Sequence, residues 1–151
     1  MLIAAVGDTP YRIMLILHVL TAMAAFAPAF VHPFLTNQSK GLGDDGHRTM
    51  MGHLLANGRR IYAPALIVTG VLGFGLQGMS SGAWEFSQGW IIGAIVVWIA
   101  MNGVLHGLIM PNEAKMADGD AQAQKLVDMG GMIITTLLIV MLYLMVFKPG
   151  L

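Results

Sequence analysis

The sequence predicts an all-α membrane protein, a bundle of four transmembrane helices that forms a single domain over residues 1–151. Charged residues make up 11% of the chain and hydrophobic residues 56%, whereas soluble domains carry about 25% charged residues. The apolar residues fall into four long blocks. Because about 20 apolar residues cross a bilayer and a lipid-embedded backbone must satisfy itself internally, each block is predicted to be one spanning helix.

Two further features of the composition exclude whole classes of protein. The chain has no cysteine, which excludes a disulfide scaffold and any thiolate metal site. Its formal net charge is zero and it has no basic patch, so we expect no nucleic-acid partner. No nucleophile and base, buried carboxylate pair or phosphate-binding glycine loop is recognisable, and the protein is predicted not to be an enzyme.

The spans are assigned from where each apolar block begins and ends. None contains an aspartate, glutamate, lysine or arginine beyond its first turn. The predicted spans are Tyr11–Leu35, Ile61–Met79, Gly89–Met110 and Gly130–Phe147.

Basic residues orient the spans across the membrane. The two long connections carry Lys40, Arg48, Arg59, Arg60, Lys115 and Lys125, whereas the opposite side has only Arg12 and Lys148. By the positive-inside rule the long connections are cytoplasmic. We therefore predict a multi-pass protein of the bacterial inner membrane with both termini outside the cytoplasm, and with Tyr11, Trp84 and Trp90 as aromatic anchors near the outer surface.

The cytoplasmic connections are predicted to contain helices of their own. Asp44 or Asp45 can cap a helix with an apolar stripe on one face, and Asp118 or Asp120 can begin another over Ala121–Val127. Either helix can run without a break into the span that follows.

Prolines mark bends and ends in this scheme. Pro28 lies inside the first span and is expected to kink it. Pro33 and Pro111 fall near cytoplasmic ends of spans, where we expect them to end the helices.

A faint internal repeat accompanies these features. His32 and His106 each lie 12 residues before an aspartate, Asp44 and Asp118, and each stretch passes a proline, an asparagine and a lysine. Two parallel helical hairpins would explain the repeat, a layout known among membrane proteins.

Glycines on the third span indicate where helices approach closely. Gly89 and Gly93, and Gly103 and Gly107, form two small-xxx-small pairs, a pattern that drives helix association in lipid. The second span adds Gly70, Gly73, Gly75 and Gly78. The glycines of both spans are predicted to pack either within the bundle or against another chain.

Three histidines lie at membrane depth, where ionisable residues are functional candidates. His32 and His106 share a layer near the inner ends of their spans, so one haem b held between them is conceivable. His18 lies nearer the outer surface without a histidine partner. The alternative is that each ring is neutral and bonded to a backbone carbonyl one turn away or, for His106, to Asn102 one turn before it. Trp98, Asn102 and His106 form a polar stripe that either faces a small cavity or is satisfied between helices.

A second candidate set lies in the first cytoplasmic connection. His47, Met50, Met51 and His53 combine imidazole and thioether groups, ligands that suit Cu(I). The alternative is an amphipathic segment on the membrane surface.

Two stretches carry a resemblance to known proteins. The opening YRIMLILHVLTAMAAF resembles the first helix of a broad group of small bacterial membrane proteins, and PALIVTGVLGFGLQG with WEFSQGWIIGAIVVWIAMNGVLHGLIMP is similar to a bacterial family of four-helix integral membrane proteins of unassigned function. The resemblance covers residues 11–128. The wider group includes copper-resistance D membrane domains and HemJ-type protoporphyrinogen oxidases, in which a first-helix histidine and a third-helix lysine serve haem binding and oxidation. His18 matches the histidine, but Gly89–Met110 contains no lysine.

These observations predict a membrane protein without a catalytic set, an accessory or structural component. Its expected partners are the lipid bilayer and either other membrane subunits or further copies of itself. The alternative function is a haem-b redox protein using His32 and His106, with His18 serving the cofactor of a partner subunit. A weaker alternative is copper handling.

Overall fold

A computed structural model describes residues 6–150, and over that range the chain is helical without a strand. The helices are α1 (Thr9–Ser39), α2 (Gly43–Asn57), α3 (Ala63–Gly78), α4 (Gly89–Val104), α5 (Met110–Ala117) and α6 (Ala121–Phe147), with π-helical segments at Gly58–Tyr62 and Leu105–Ile109. Four continuous helical runs are long and apolar enough to cross a membrane: Thr9–Ser39, Gly43–Gly78, Gly89–Met116 and Ala121–Phe147. The predicted four-helix fold is confirmed.

The predicted continuity of the cytoplasmic helices with the spans is also confirmed. α2 runs through the first π segment into α3, and α6 forms one helix from Ala121 to Phe147. The Asp120 carboxylate caps α6 by accepting hydrogen bonds from the backbone N–H groups of Gln122 and Ala123, at 2.8 and 3.1 Å. Asp44 and Asp45 do not cap α2. They lie in its first turn, where carboxylates interact favourably with the helix dipole.

The prediction that Pro33 ends the first helix is wrong. α1 continues to Ser39, although Pro33 removes one helical hydrogen bond. The extension is held by Ser39, which is fully buried. The Ser39 hydroxyl donates to the Thr36 carbonyl at 2.7 Å and lies 2.8 Å from His47 Nδ1 on α2. These contacts fix the end of α1 onto the next helix.

The prediction that Pro111 ends the third helix is wrong for a different reason. Pro111 is the second residue after the π segment Leu105–Ile109, and the chain continues as α5. Pro64 holds the same position after the π segment Gly58–Tyr62. A proline ring clashes with the carbonyl four residues earlier in an α-helix. In both places that carbonyl lies within a π segment, where the hydrogen-bond pattern is wider.

Packing divides the bundle into two closely paired units, consistent with the predicted helical hairpins. α1 packs mainly on α3, and α4 packs mainly on α6, while α3 with α4 and α1 with α6 make fewer contacts. One apolar cluster joins α3, α4 and α6 in the middle of the bundle: Leu66, Val97, Met101 and Leu138. A second joins α2, α5 and α6 at the end remote from the chain termini: Met51, Leu54, Met116 and Ala123.

Candidate functional site

A large apolar cleft, here called the terminal cleft, runs between the two units from the end of the bundle where α1 begins and α6 ends. Its volume is about 690 Å³, and α1, α3, α4 and α6 all contribute to its walls. Most lining residues are aliphatic or aromatic, among them Ala22, Phe26, Ala94, Trp98 and Met141. All three tryptophans of the chain line it.

Trp98 forms part of the cleft wall and is held in place by contacts to α3. Its indole N–H donates to the Leu66 carbonyl at 2.8 Å, and its ring meets Phe74 edge to face at 5.9 Å. The ring lies directly over Gly70, where a Cβ atom would be less than 3.0 Å from the indole. The missing side chain of Gly70 therefore makes room for Trp98. In turn, Asn102 donates to the Trp98 carbonyl at 2.9 Å.

His18 lies on the α1 wall of the same cleft. Its Nδ1 is 2.8 Å from the Thr69 carbonyl. Because a carbonyl only accepts, Nδ1 carries the proton, and in the neutral ring Nε2 is left as an acceptor. A Cβ at Gly73 would be 3.3 Å from His18 Cε1, so the glycine allows the ring to lie close to α3. His18 is thus bonded to a backbone carbonyl, as the alternative predicted, but that carbonyl belongs to α3 and is not one turn away on its own helix.

Polar groups gather at the mouth of the cleft. The Trp84 indole N–H donates to the Tyr11 hydroxyl at 3.0 Å, and the Gln77 amide donates to the Trp84 carbonyl at 3.0 Å. Trp84 and Trp90 meet edge to face with ring centroids 5.5 Å apart. The Lys148 ammonium lies 4.0 Å from the Trp84 ring centroid and 5.6 Å from that of Trp90. The mouth is thus formed by aromatic side chains, with the Lys148 ammonium beside the rings of Trp84 and Trp90.

The backbone at the end of α6 positions this lysine. Lys148 is in the left-handed conformation, with φ 44° and ψ 58°, and its N–H donates to the Leu144 carbonyl at 3.1 Å. Glycine usually occupies such a helix-ending position because a side chain is disfavoured there. Here the turn carries a long cationic side chain.

The two histidines predicted to share a haem have different surroundings. His32 packs edge to face on Tyr62 at 5.6 Å, and its Nε2 is buried without a hydrogen-bond partner among residues 6–150. His106 lies in the second π segment with an exposed side chain. His18 has its Nδ1 engaged. Haem binding stays a prediction.

The four residues predicted to bind copper all lie on α2, but their side chains have different surroundings. His47 Nδ1 donates to the Ser39 hydroxyl, since the Ser39 proton is used on Thr36. Met51 is buried in an apolar cluster, whereas His53 is exposed. Met50 is partly buried at the edge of that cluster. Six residues along a helix rotate the side chain by about 240°, so His47 and His53 lie on different faces. The copper site also stays a prediction.

The glycines predicted to mediate packing behave differently from one another. A Cβ at Gly93 would be 3.3 Å from Leu144, so this glycine packs within the chain, between α4 and α6. At Gly89, Gly103 and Gly107 a Cβ would meet no described atom within 4 Å. For these three, close packing within the chain is wrong, because the positions face away from neighbouring helices. Packing against another chain stays a prediction.

Two of the glycines predicted to pack on the second span, Gly70 and Gly73, lie directly beneath bulky side chains of other helices. Gly130 lies beneath Ile109 in the same way. Gly130 was not predicted as a packing position, because it belongs to no small-xxx-small pair of the third span. No protein-family model, curated protein or solved structure matches the chain.

Proposed function

We propose that this protein is a non-catalytic membrane protein that binds an apolar molecule of the bilayer in the terminal cleft. The observation that carries the proposal is the cleft itself, about 690 Å³ in volume and walled by all four long helices. Ligand sites in proteins are typically concave, mostly apolar and about 300–1,000 Å³ in volume. Because the lining residues belong to helices that can span a membrane, lipid is the molecule most available to fill it.

The polar groups in the cleft support binding rather than chemistry. His18 is bonded through Nδ1 to the Thr69 carbonyl, and the Trp98 N–H to the Leu66 carbonyl. These bonds hold the rings as rigid walls, which reduces the ordering cost of binding. The lining residues include no serine and no carboxylate to pair with His18.

Brominated lipids provide a direct test, since bromine quenches tryptophan fluorescence on contact. A variant with Trp84→Phe and Trp90→Phe leaves Trp98, in the cleft wall, as its single fluorophore. In vesicles containing lipid with brominated acyl chains, we expect Trp98 to be quenched. Ala22→Phe fills space in the cleft and should weaken the quenching.

The matched control is Leu20→Phe, which adds an aromatic ring on the exposed side of α1 outside the cleft. It should leave the quenching unchanged. If Ala22→Phe fails to fold, Val19→Phe enters the same wall at a 47% exposed position. Equal quenching in folded filled and control variants would refute the proposal.

A second function is favoured by the exposed glycines of the third span. We propose that Gly103 and Gly107, which face no described atom within 4 Å, pack against a helix of another subunit or a second copy. The protein would then be an accessory component of a membrane assembly. Gly103→Leu should release the partner from gently solubilised protein, whereas Gly78→Leu, at another open position, should not. A wild-type monomer with no associated chain would contradict this.

We also propose an orientation of the protein across the membrane. The basic residues of the two long connections support a bacterial inner-membrane protein with both termini outside the cytoplasm. In that orientation the mouth of the terminal cleft lies at the outer surface of the membrane.

A further inference from the structure

The terminal cleft divides into an apolar body and a polar mouth. Lys148 is the one side chain of fixed charge among its described lining residues, and it lies at the mouth with Tyr11, Trp84 and Trp90. Deeper walls are formed by residues such as Phe26, which offer no charge. A ligand complementary to this surface has a long apolar part and a single polar end.

A lipid tail gains little by entering an apolar cleft from a bilayer, because lipid is as apolar as the cleft wall. Preference for one membrane lipid over another must therefore come mainly from shape and from the headgroup. The mouth is the part of the cleft that can supply headgroup contacts.

The cation at the mouth is placed to meet an anion. The Lys148 ammonium lies over the Trp84 ring at 4.0 Å, and the described lining residues of the cleft include no acidic side chain. An ammonium group has three hydrogen-bond donors, and contact with the face of a ring uses none of them as a conventional hydrogen bond. A phosphate oxygen can therefore approach the lysine from within the cleft without meeting a carboxylate of the cleft wall.

Trp90 adds an independent observation at the same place. Its side chain is only 7% exposed, and its indole nitrogen is buried without a hydrogen-bond acceptor in the described chain. A buried donor without an acceptor is unfavourable. The Lys148 ammonium lies 5.6 Å from the centroid of the same ring, so both donor groups belong to the mouth of the cleft.

We propose that the terminal cleft selects an anionic phospholipid, with its acyl chains along the apolar walls and its phosphate at Lys148 beside Trp90. The inference rests on the proposed lipid-binding function and adds the charge class of the ligand. A neutral or zwitterionic lipid would fill the same walls, but its headgroup would lack the net negative charge that this single cation favours.

The test compares two brominated phospholipids with the same acyl chains, one anionic and one zwitterionic. Each is added at the same mole fraction to unlabelled zwitterionic vesicles containing the three-tryptophan protein. We expect the anionic lipid to bind about fivefold more strongly, the size expected for one basic residue near a membrane surface. Lys148→Gln should bring the ratio close to one, and Lys148→Arg should keep most of the preference.

Arg12→Gln is the matched control, because Arg12 is an exposed cation at the same end of the bundle but outside the cleft. It should leave the ratio unchanged. Equal loss in Arg12→Gln and Lys148→Gln would show a general surface potential and overturn the inference. Millimolar inorganic phosphate should not compete; competition would indicate a free-anion site and also overturn it.

The two proposals fail in distinguishable ways. If wild-type protein is quenched equally by both lipids and Ala22→Phe weakens both, lipid binding stands and headgroup selection is refuted. If Ala22→Phe changes neither signal in folded protein, the binding function itself is refuted.

Discussion

Gly70→Ala is expected to destabilise the bundle, because the new methyl group would enter the Trp98 ring. The Cβ atom would lie less than 3.0 Å from three indole atoms. The ring is held by its hydrogen bond to the Leu66 carbonyl and by Phe74, so it cannot move aside freely. Overpacking costs about 1–3 kcal/mol, and alanine recovers up to about 1 kcal/mol of helix propensity. With full recovery the expected net loss is up to about 2 kcal/mol.

The free energy of unfolding can be measured in micelles as a function of denaturing detergent. Gly78→Ala is the matched control on the same helix, since its Cβ would meet nothing within 4 Å, and it should be neutral or slightly stabilising. Trp98→Leu removes the ring, so a double-mutant cycle isolates the contact. The cost of Gly70→Ala should largely disappear in that background. An unchanged cost there would show that the ring contact is not its origin.

Three further outcomes are expected from simple substitutions. Asp120→Ala should cost about 1 kcal/mol and speed hydrogen exchange in the first turn of α6, whereas Asp118→Ala, which removes the same charge without a capping bond, should not. Because the chain has no cysteine, the variant Ser87→Cys can be labelled selectively. A membrane-impermeant thiol reagent should label it from outside the cell. Labelling only from the cytoplasmic side would show that the proposed orientation is inverted. Protein made with ample haem should show no Soret band that depends on both His32 and His106. A Soret band that is lost in His32→Ala and also in His106→Ala would support a haem shared by the two histidines.

The existence and approximate length of the helices could be predicted because they depend on local composition. Long apolar blocks form spans regardless of their neighbours, and the cap at Asp120 satisfies donors within the next turn. The ends near Pro33 and Pro111 could not be predicted in the same way. At Pro33 the helix is stabilised by Ser39 and by contact with His47 on another helix, which depends on the tertiary fold.

Single residues of the terminal cleft could be predicted from the sequence, but the cleft itself could not. Tyr11, Trp84 and Trp90 were predicted as separate interfacial anchors, and Lys148 was used only to orient the chain. Their juxtaposition depends on bringing together the start of α1, the loop before α4 and the end of α6, with Trp84 bonded to Tyr11 across the fold. No spacing along the chain encodes that arrangement.

The glycines illustrate a related limit. Small-xxx-small spacing predicts that two helix backbones approach each other, but Gly70 and Gly73 make room for the side chains of Trp98 and His18. Such a contact needs one glycine and a large residue on another helix, so it leaves no regular pattern. Gly103 has the pattern but no neighbour within 4 Å in the described chain.

The π segments explain why the faces of the helices were harder to predict than the helices themselves. Each π turn adds a residue to the helical repeat, and one added residue rotates every later side chain by about 100° around the axis. The run Gly43–Gly78 therefore presents different faces before and after Gly58–Tyr62, and α2 packs on α1 and α5 while α3 packs on α1 and α4. An apolar stripe extrapolated through that segment would be displaced by one residue. A proline two residues after the segment, such as Pro64, is consistent with this change, because the wider turn relieves the clash that would otherwise end the helix.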